Sequence, residues 1–396
     1  MRLRSFARLS TAAVAVVLVG GACGGGDGGT STDPTVLDPP VPHVPGDIAA
    51  GCGAQAVTNP GDLDAGRVVA RCGPDAPAAQ PLPAPATLRV AVPESQGIEL
   101  APLLVADALG EFEAENLRVE VEPMPFRDAL AGVETGDVDL VVGPVDGPYF
   151  DALHRGSRAR LVLGGTLSPA PNAMTVDQTG LWVRTDALDE DGLSDLQLQA
   201  VGVPGGTRSA ATYPIGQVLG QTEISLNEVA LADTSSGEAA QQLIDGDLAA
   251  AWLDGGSWYP VAEQEGFELF ATLPASEAVD GTIAAPRLLG PDRAVGLAYT
   301  RAIIRTINTH LTGDYRRDDD VVEALAGALD VDGEIVRALP PVLFDWEVRE
   351  GTLGRIEDAL LALGGVTYDM PLDSTLLVDR TLATEAVGGD DLPVAG

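Results

Sequence analysis

Lysine is absent from the 396 residues, so all 23 basic side chains are arginine. Cysteine and histidine are scarce, three of each. His43, His154 and His310 fall far apart, and no His-Glu-x-x-His metal site occurs. A Gly-x-Ser-x-Gly elbow, a phosphate-binding P-loop and a cysteine nucleophile with partner residues are missing too. Positive charge is short overall: 59 acidic residues leave a formal net charge of −36. Such a field repels nucleic acid and anionic membrane surfaces. No nucleic-acid partner, cofactor, metal or catalytic activity is expected.

What is present is a chain that is 45% hydrophobic and long enough for two domains with their own cores. Its organising stretch is Val201-Gly-Val-Pro-Gly-Gly-Thr-Arg-Ser209, followed by a helical run to Leu219-Gly220. Val201 and Val203 alternate as a short strand, Pro204-Gly205-Gly206 breaks it, and Thr207 or Ser209 can cap the helix behind. A helix N-terminus at that place would aim free N–H groups at one spot. About 110 residues earlier, Val90-Ala-Val92-Pro93 leads through Glu94-Ser95-Gln96-Gly97 to a helical run ending at Leu109-Gly110, in nearly the same register. Gly136-Asp137 before Val138–Val142 likewise matches Gly246-Asp247 before Leu248–Leu253. The repetition predicts two similar α/β lobes with facing strand ends and a cleft between them.

At the N-terminus Arg2, Arg4 and Arg8 precede apolar Leu9–Val19, which is too short for a membrane span. Gly20-Gly21-Ala22 supplies small residues for cleavage, and residues 1–22 read as a signal peptide. The pattern resembles a bacterial lipoprotein signal with Cys23 as the lipidated mature N-terminus, although Gly20 stands where that motif usually carries Leu. Ordinary cleavage after Ala22, giving a secreted protein, is the alternative. Residues 23–84 are rich in Gly and Pro and read as a tether. Within it Cys52 and Cys72 are expected to pair, closing a loop of about 20 residues worth about 3 kcal/mol in the chain-entropy model. Two cysteines alone are too few for a structural zinc site.

Strands are expected at Thr87–Val92, Val119–Val121, Val138–Val142, Arg160–Leu163, Leu181–Arg184, Val201–Val203, Leu226–Leu231 and Leu248–Leu253, with Leu269–Leu273 and Thr282–Leu289 leading back to the first lobe and a helical turn at Asp151–Arg155. Helices are expected at Ala101–Glu115, Arg127–Glu134, Gly237–Ile244, Ala294–Leu311, Asp320–Leu329, Gly333–Ala338 and Thr352–Leu363. Alternation of this kind means mostly parallel sheets. Lobe one then spans 85–178, lobe two 179–275, and 276–396 returns to lobe one, with hinges near Thr175–Trp182 and Leu273–Thr282. Asp189-Glu-Asp191-Gly192 and Asp330-Val-Asp332-Gly333 lack key calcium-loop ligands and read as solvated turns.

Ala106-Asp-Ala-Leu-Gly-Glu-Phe-Glu-Ala-Glu-Asn-Leu-Arg-Val119 resembles the A-x-x-x-G-x-F-x-x-E-G-L-x-V segment of solute-binding proteins of ABC importers. The match is to the nitrate/sulfonate/taurine-binding branch, which includes binders of thiamine-pyrimidine precursors. Asn116 replaces the motif's second Gly, a mild departure because Asn tolerates the left-handed conformation. Thr135-Gly-Asp-Val-Asp139 and Gly246-Asp-Leu-Ala-Ala250 resemble that family's helix-to-strand joints, the second without the final Asp. The resemblance runs from about Thr87 to Arg380. It implies a type II periplasmic-binding fold, two mostly parallel sheets flanked by helices. It also implies a monomer held at the outer face of the cell membrane, delivering a small molecule to an ABC permease. An enzyme on the same fold and a surface sensor are the alternatives.

The expected ligand contacts are cleft-facing turns: Ser95 and Gln96; Gly143, Val145 and Asp146; Gly206, Thr207, Arg208 and Ser209; and Trp252 with Asp254. Thr207 and Ser209 would hydrogen-bond the solute, and Arg208 would pair with a carboxylate, sulfonate or phosphate or else point to solvent. Trp252 and Phe126 are either cleft wall or lobe core. Asp146 and Asp254 speak against a simple inorganic anion and leave open a sulfonate, a taurine-like zwitterion or a nitrogen heterocycle.

Overall fold

Runs of Val, Leu and Ala bounded by Gly and Pro form strands buried on both faces, as parallel sheets require. The architecture comes from a computed structural model. It describes residues 52, 72–73, 75–93, 97–167, 178–188, 200–221, 224–254, 256–272, 279–339, 342–348 and 351–387. The expected signal peptide, Cys23, most of the tether, Ser95 and Gln96 lie outside the described residues, as do parts of both expected hinges. The strands are β1 (Ala86–Val92), β2 (Leu117–Pro123), β3 (Leu140–Pro144), β4 (Arg160–Gly164), β5 (Thr166–Leu167), β6 (Gly180–Arg184), β7 (Ala200–Val203), β8 (Ala230–Asp233), β9 (Ala250–Leu253), β10 (Phe267–Thr272), β11 (Asp280–Ala284) and β12 (Leu343–Phe344).

One sheet has the order β2-β1-β3-β11-β4 and the other, read from its far edge, β8-β7-β9-β6-β10. The two orders are the same arrangement. In each, a central strand pairs in parallel with two neighbours, β1 with β2 and β3, β7 with β8 and β9. The next strand, β11 or β6, runs antiparallel. In lobe one that strand belongs to the returning chain. The repeated Gly-Asp joints explain the shared register. Gly136 and Gly246 end their helices at φ 84° and 86°. The following Asp137 and Asp247 amides both bond back to carbonyls five residues earlier, at 2.9 Å. Side chains with a Cβ are strained at such φ, so Gly marks both helix stops.

Each sheet is covered on both faces. Leu88, Val90 and Val92 meet Leu103 and Val105 of helix Ala101–Ala108 and Tyr299, Ile303 and Ile304 of helix Arg293–His310. The opposite face packs Ala91, Val141 and Ile283 against Leu130, Phe150 and Ile356. In lobe two Val201, Val203 and Trp252 lie on one side, and Trp182, Ala251 and Trp258 on the other. Each such side chain fully buried contributes about 1.5–3 kcal/mol of apolar transfer. Among the described residues no helix is long and apolar enough to cross a membrane.

Three elements depart from expectation. The run Ala101–Glu115 is two helices, Ala101–Ala108 and Glu111–Ala114, because Gly110 takes φ 78° between them. Leu226–Glu228 is a 3-10 turn closed by a Ser225–Glu228 capping box, so its strand starts only at Ala230. The Gly/Pro-rich stretch, expected as a tether to residue 84, is seated on lobe one in its described part from Cys72 onward. Cys72 and Ala76 are 2% and 3% exposed, and Cys72 is disulfide-bonded to Cys52.

A buried charge cluster holds that strap. Glu115, inaccessible to solvent, accepts from Arg301 at 2.6 Å and Arg305 at 3.0 Å. Arg305 also pairs with Glu111, which meets His310 at 3.1 Å. The same guanidiniums donate to the Pro77 and Gln80 carbonyls, each at 3.0 Å. Composition could not reveal this seat, since the partners lie more than 180 residues apart.

Candidate ligand-binding crevice

Strand ends of both lobes meet at one place. On the lobe-one side β1 runs out towards Gly97 and Glu99, and β3 ends at Gly143-Pro144 before Val145, Asp146 and helix Gly147–His154. Gly143 lies beside Pro93 at the β1 exit, where a Cβ would be in ordinary van der Waals contact. Val145 is buried at 1% exposure and donates its N–H to the Val279 carbonyl at 2.8 Å. It is a packing residue. Asp146 is half-buried at the head of its helix. Beside it Asp280, opposite Pro144 in the sheet, accepts the Thr166 N–H and hydroxyl, both at 2.8 Å.

On the lobe-two side β7 runs into Pro204, then Gly205 and Gly206 at φ 82° and 57°. A short 3-10 turn, Gly206–Arg208, precedes the helix Thr212–Gln221. Several amides around this turn donate within the chain. Gly205 donates to Asp233 at 3.1 Å, Ala211 to the Ser209 hydroxyl at 3.2 Å, and Ala210 crosses to Asp146 at 2.7 Å. Ser209 is therefore buried and serves the helix entry, while Thr207 is exposed. Arg208 does not point to solvent. Its Nη2 donates to Asp151 of lobe one at 2.6 Å. Trp252, 2% exposed, lies in the lobe-two core, and Phe126 packs half-buried at the edge of the lobe-one core. Asp254 follows β9 at the crevice.

The electrostatics are those of crowded carboxylates. Burial pushes Glu99 up to about 7; its own and the Gly97 amide oppose this, and the Asp254 and Asp280 charges add to it. Burial likewise raises Asp146 to about 6, with the Ala210 amide and Arg208 opposing and Asp254 reinforcing. Asp280 is also raised by burial to about 6, against its Thr166 bonds, and Asp254 adds to the rise. One carboxylate of lobe two thus raises three of lobe one. Asp151 behaves oppositely: burial would raise it, but hydrogen bonds from Arg208 and Thr367 outweigh this and hold it below the usual carboxylate range. Among the described residues no group of three or more His, Cys, Asp or Glu is placed to hold a metal ion.

Of the expected contacts, Asp146 lies against the lobe-two turn, accepting the Ala210 amide, and feels the charge of Asp254. Sequence reasoning missed Glu99, Asp280 and Asp151. Asp280 falls two residues before the segment expected from Thr282, and Asp151 lies inside the helix Gly147–His154, where no ligand contact is expected. The available signal was acidic residues next to strand ends at the crevice.

No family profile and no curated protein sequence matches the chain. Solved structures do resemble it. A putative periplasmic sulfonate-binding SsuA from Methylobacillus flagellatus aligns with TM-score 0.58 at 13% identity, over 77% of this chain and 94% of that one. The ligand-binding component of an ABC-type import system from Staphylococcus aureus, solved with zinc bound, aligns with TM-score 0.54 at 12% identity, over 76% and 98%. The aliphatic sulphonate binding protein SsuA of Escherichia coli gives 0.50 at 14%, over 70% and 91%. At such identities the likeness speaks for the fold alone: the chain has the two-lobed architecture of periplasmic binding proteins.

Proposed function

We propose that the protein is an extracytoplasmic solute-binding subunit that presents a small organic solute to an ABC permease, and that the solute carries a protonated amine or ring nitrogen. One observation carries the reading. Asp254 of lobe two raises Glu99, Asp146 and Asp280 of lobe one, while Arg208 Nη2 and the Ala210 amide, donors that would favour an anion, go to Asp151 and Asp146. A carboxylate-lined crevice attracts a nitrogen cation and repels a sulfonate. The net charge of −36 works in the same direction, concentrating cations near the surface. A taurine-like zwitterion fits through its ammonium end. Nitrate fits poorly, and so do simple alkyl sulfonates, the class for which the sulfonate-binding proteins of like fold are named. Export, lipidation at Cys23, a monomeric state and the absence of turnover belong to the same reading.

Differential thermal melts against two panels test it. One panel holds choline-like quaternary amines, polyamines and aminopyrimidines; the other holds alkyl sulfonates, sulfate and nitrate. A solute at 100 times its Kd stabilises by about 2.7 kcal/mol, and a response confined to the first panel is expected. Response to the second panel alone would overturn the nitrogen assignment. Silence from both would favour a ligand-independent surface role.

A further inference from the structure

We infer that Asp151 is an interlobe latch and, through it, a specificity determinant: by holding Arg208 it ties lobe two to lobe one and engages the guanidinium that an anionic solute would need. Asp151 is 3% exposed, on the helix Gly147–His154. Its Oδ2 accepts from Arg208 Nη2 at 2.6 Å, and its Oδ1 accepts the Thr367 amide and hydroxyl, both at 2.7 Å. Both oxygens are thus engaged, one by lobe two and one by the returning C-terminal chain.

The surroundings leave no slack. A Cβ on Gly147 would stand 2.6 Å from the Gly365 carbonyl oxygen and 3.3 Å from that of Arg208. A Cβ on Gly365 would stand 2.1 Å from the Thr207 carbonyl oxygen. Three backbone segments therefore meet at contact distance. Below them Ala210 and Tyr213 of lobe two belong to the same apolar cluster as Tyr149, Phe150, Ile356 and Leu360. Arg355 Nε donates to the Tyr213 hydroxyl at 2.9 Å. The contact between the lobes is thus apolar below and ion-paired above. Removing one member of the pair leaves a largely desolvated charge on the other side, which favours parting of the surfaces.

The specificity half rests on the crevice reading above; the latch half does not. Hydrogen exchange of the full chain separates them. Asp151→Asn keeps an acceptor for Thr367 and loses the charge that holds Arg208; Arg208→Gln removes the pair from the other lobe. Exchange over 206–212 and 365–368 is expected to quicken at least about ten-fold in both variants, with β1 and β7 still protected. Unchanged exchange in both variants, or a rise spread evenly through the strands, would overturn the latch. Millimolar sodium sulfate, against matched chloride, is then expected to slow exchange over 205–210 in Asp151→Asn only. Equal slowing in the wild type, or none in Asp151→Asn, would overturn the specificity role. A protein that proved to bind no solute would still give the first result, so the two readings fail separately.

Discussion

A carboxyl group raised to about 7, as Glu99 is, holds its proton in the folded protein at a pH where the unfolded chain has lost it. Its favourable contribution is complete below about pH 4 and disappears as pH rises through 7. Replacing it by a neutral isostere removes that dependence. Glu99→Gln is expected to raise the melting temperature at pH 8 by several degrees and to change little at pH 5. At about 1.4 kcal/mol per pKa unit, the upper bound is about 3 kcal/mol, reduced by the group's partial exposure. Equal shifts at both pH values would refute the assignment. Asp254→Asn acts through charge. The Glu99, Asp146 and Asp280 titrations, followed by carboxyl NMR, should each move to lower pH, and affinity for any amine ligand should fall at least ten-fold. Three unmoved titrations would mean the four groups do not share a space.

Elements are fixed by backbone contacts and buried charges. Gly365→Ala places a methyl against a carbonyl in the turn after helix Thr352–Leu363, and backbone must shift to admit it. Such overpacking typically costs 1–3 kcal/mol. Melting should fall by several degrees, whereas Gly364→Ala meets no neighbour but pays for φ 65° alone. The strap offers a sharper case. Arg305→Ala leaves Glu115 with Arg301 and the Gln80 amide and frees the Pro77 carbonyl in a buried site. Breaking a buried pair costs about 3–5 kcal/mol, so a melting decrease on the order of 10 °C is expected. A loss under 2 °C would show that the strap adds little. Gly136 and Gly246 were legible as joints because a left-handed helix stop is a local demand on one residue. The break at Gly110 was legible only in part: the family-like motif carries a Gly there, but the apolar spacing of Leu104, Ala108 and Phe112 bridges it.

For the whole molecule, raised and lowered carboxyls oppose each other. Glu99, Asp146 and Asp280 favour the folded state as pH falls towards the unfolded values. Asp151, Glu111 and Asp314, held low by their partners, lose their contribution as pH falls further. Thermal stability should therefore peak near pH 5 and decline towards pH 8. Binding of a nitrogen cation should run the opposite way, strengthening from pH 5 to 8 as the crevice carboxyls ionise. Calorimetric titration across that range decides it; affinity that falls with pH would exclude a cation at these groups.

The amino-acid sequence by itself determined the two-lobed α/β architecture. Strand periodicity, glycine stops and the repeated Val-x-Val-Pro segments act through neighbours within a few residues, so they can be read along the chain. It also brought Asp146, Asp254 and the Gly206–Ser209 turn into consideration, because strand ends in such sheets face one edge. Only the tertiary structure decided what those groups meet. Arg208 finds Asp151 across 57 residues, Ala210 finds Asp146 across 64, and Thr367 finds Asp151 across 216. A side chain's charge and donors are fixed by its type, but whether they remain available to a ligand depends on partners that only folding brings within 3 Å.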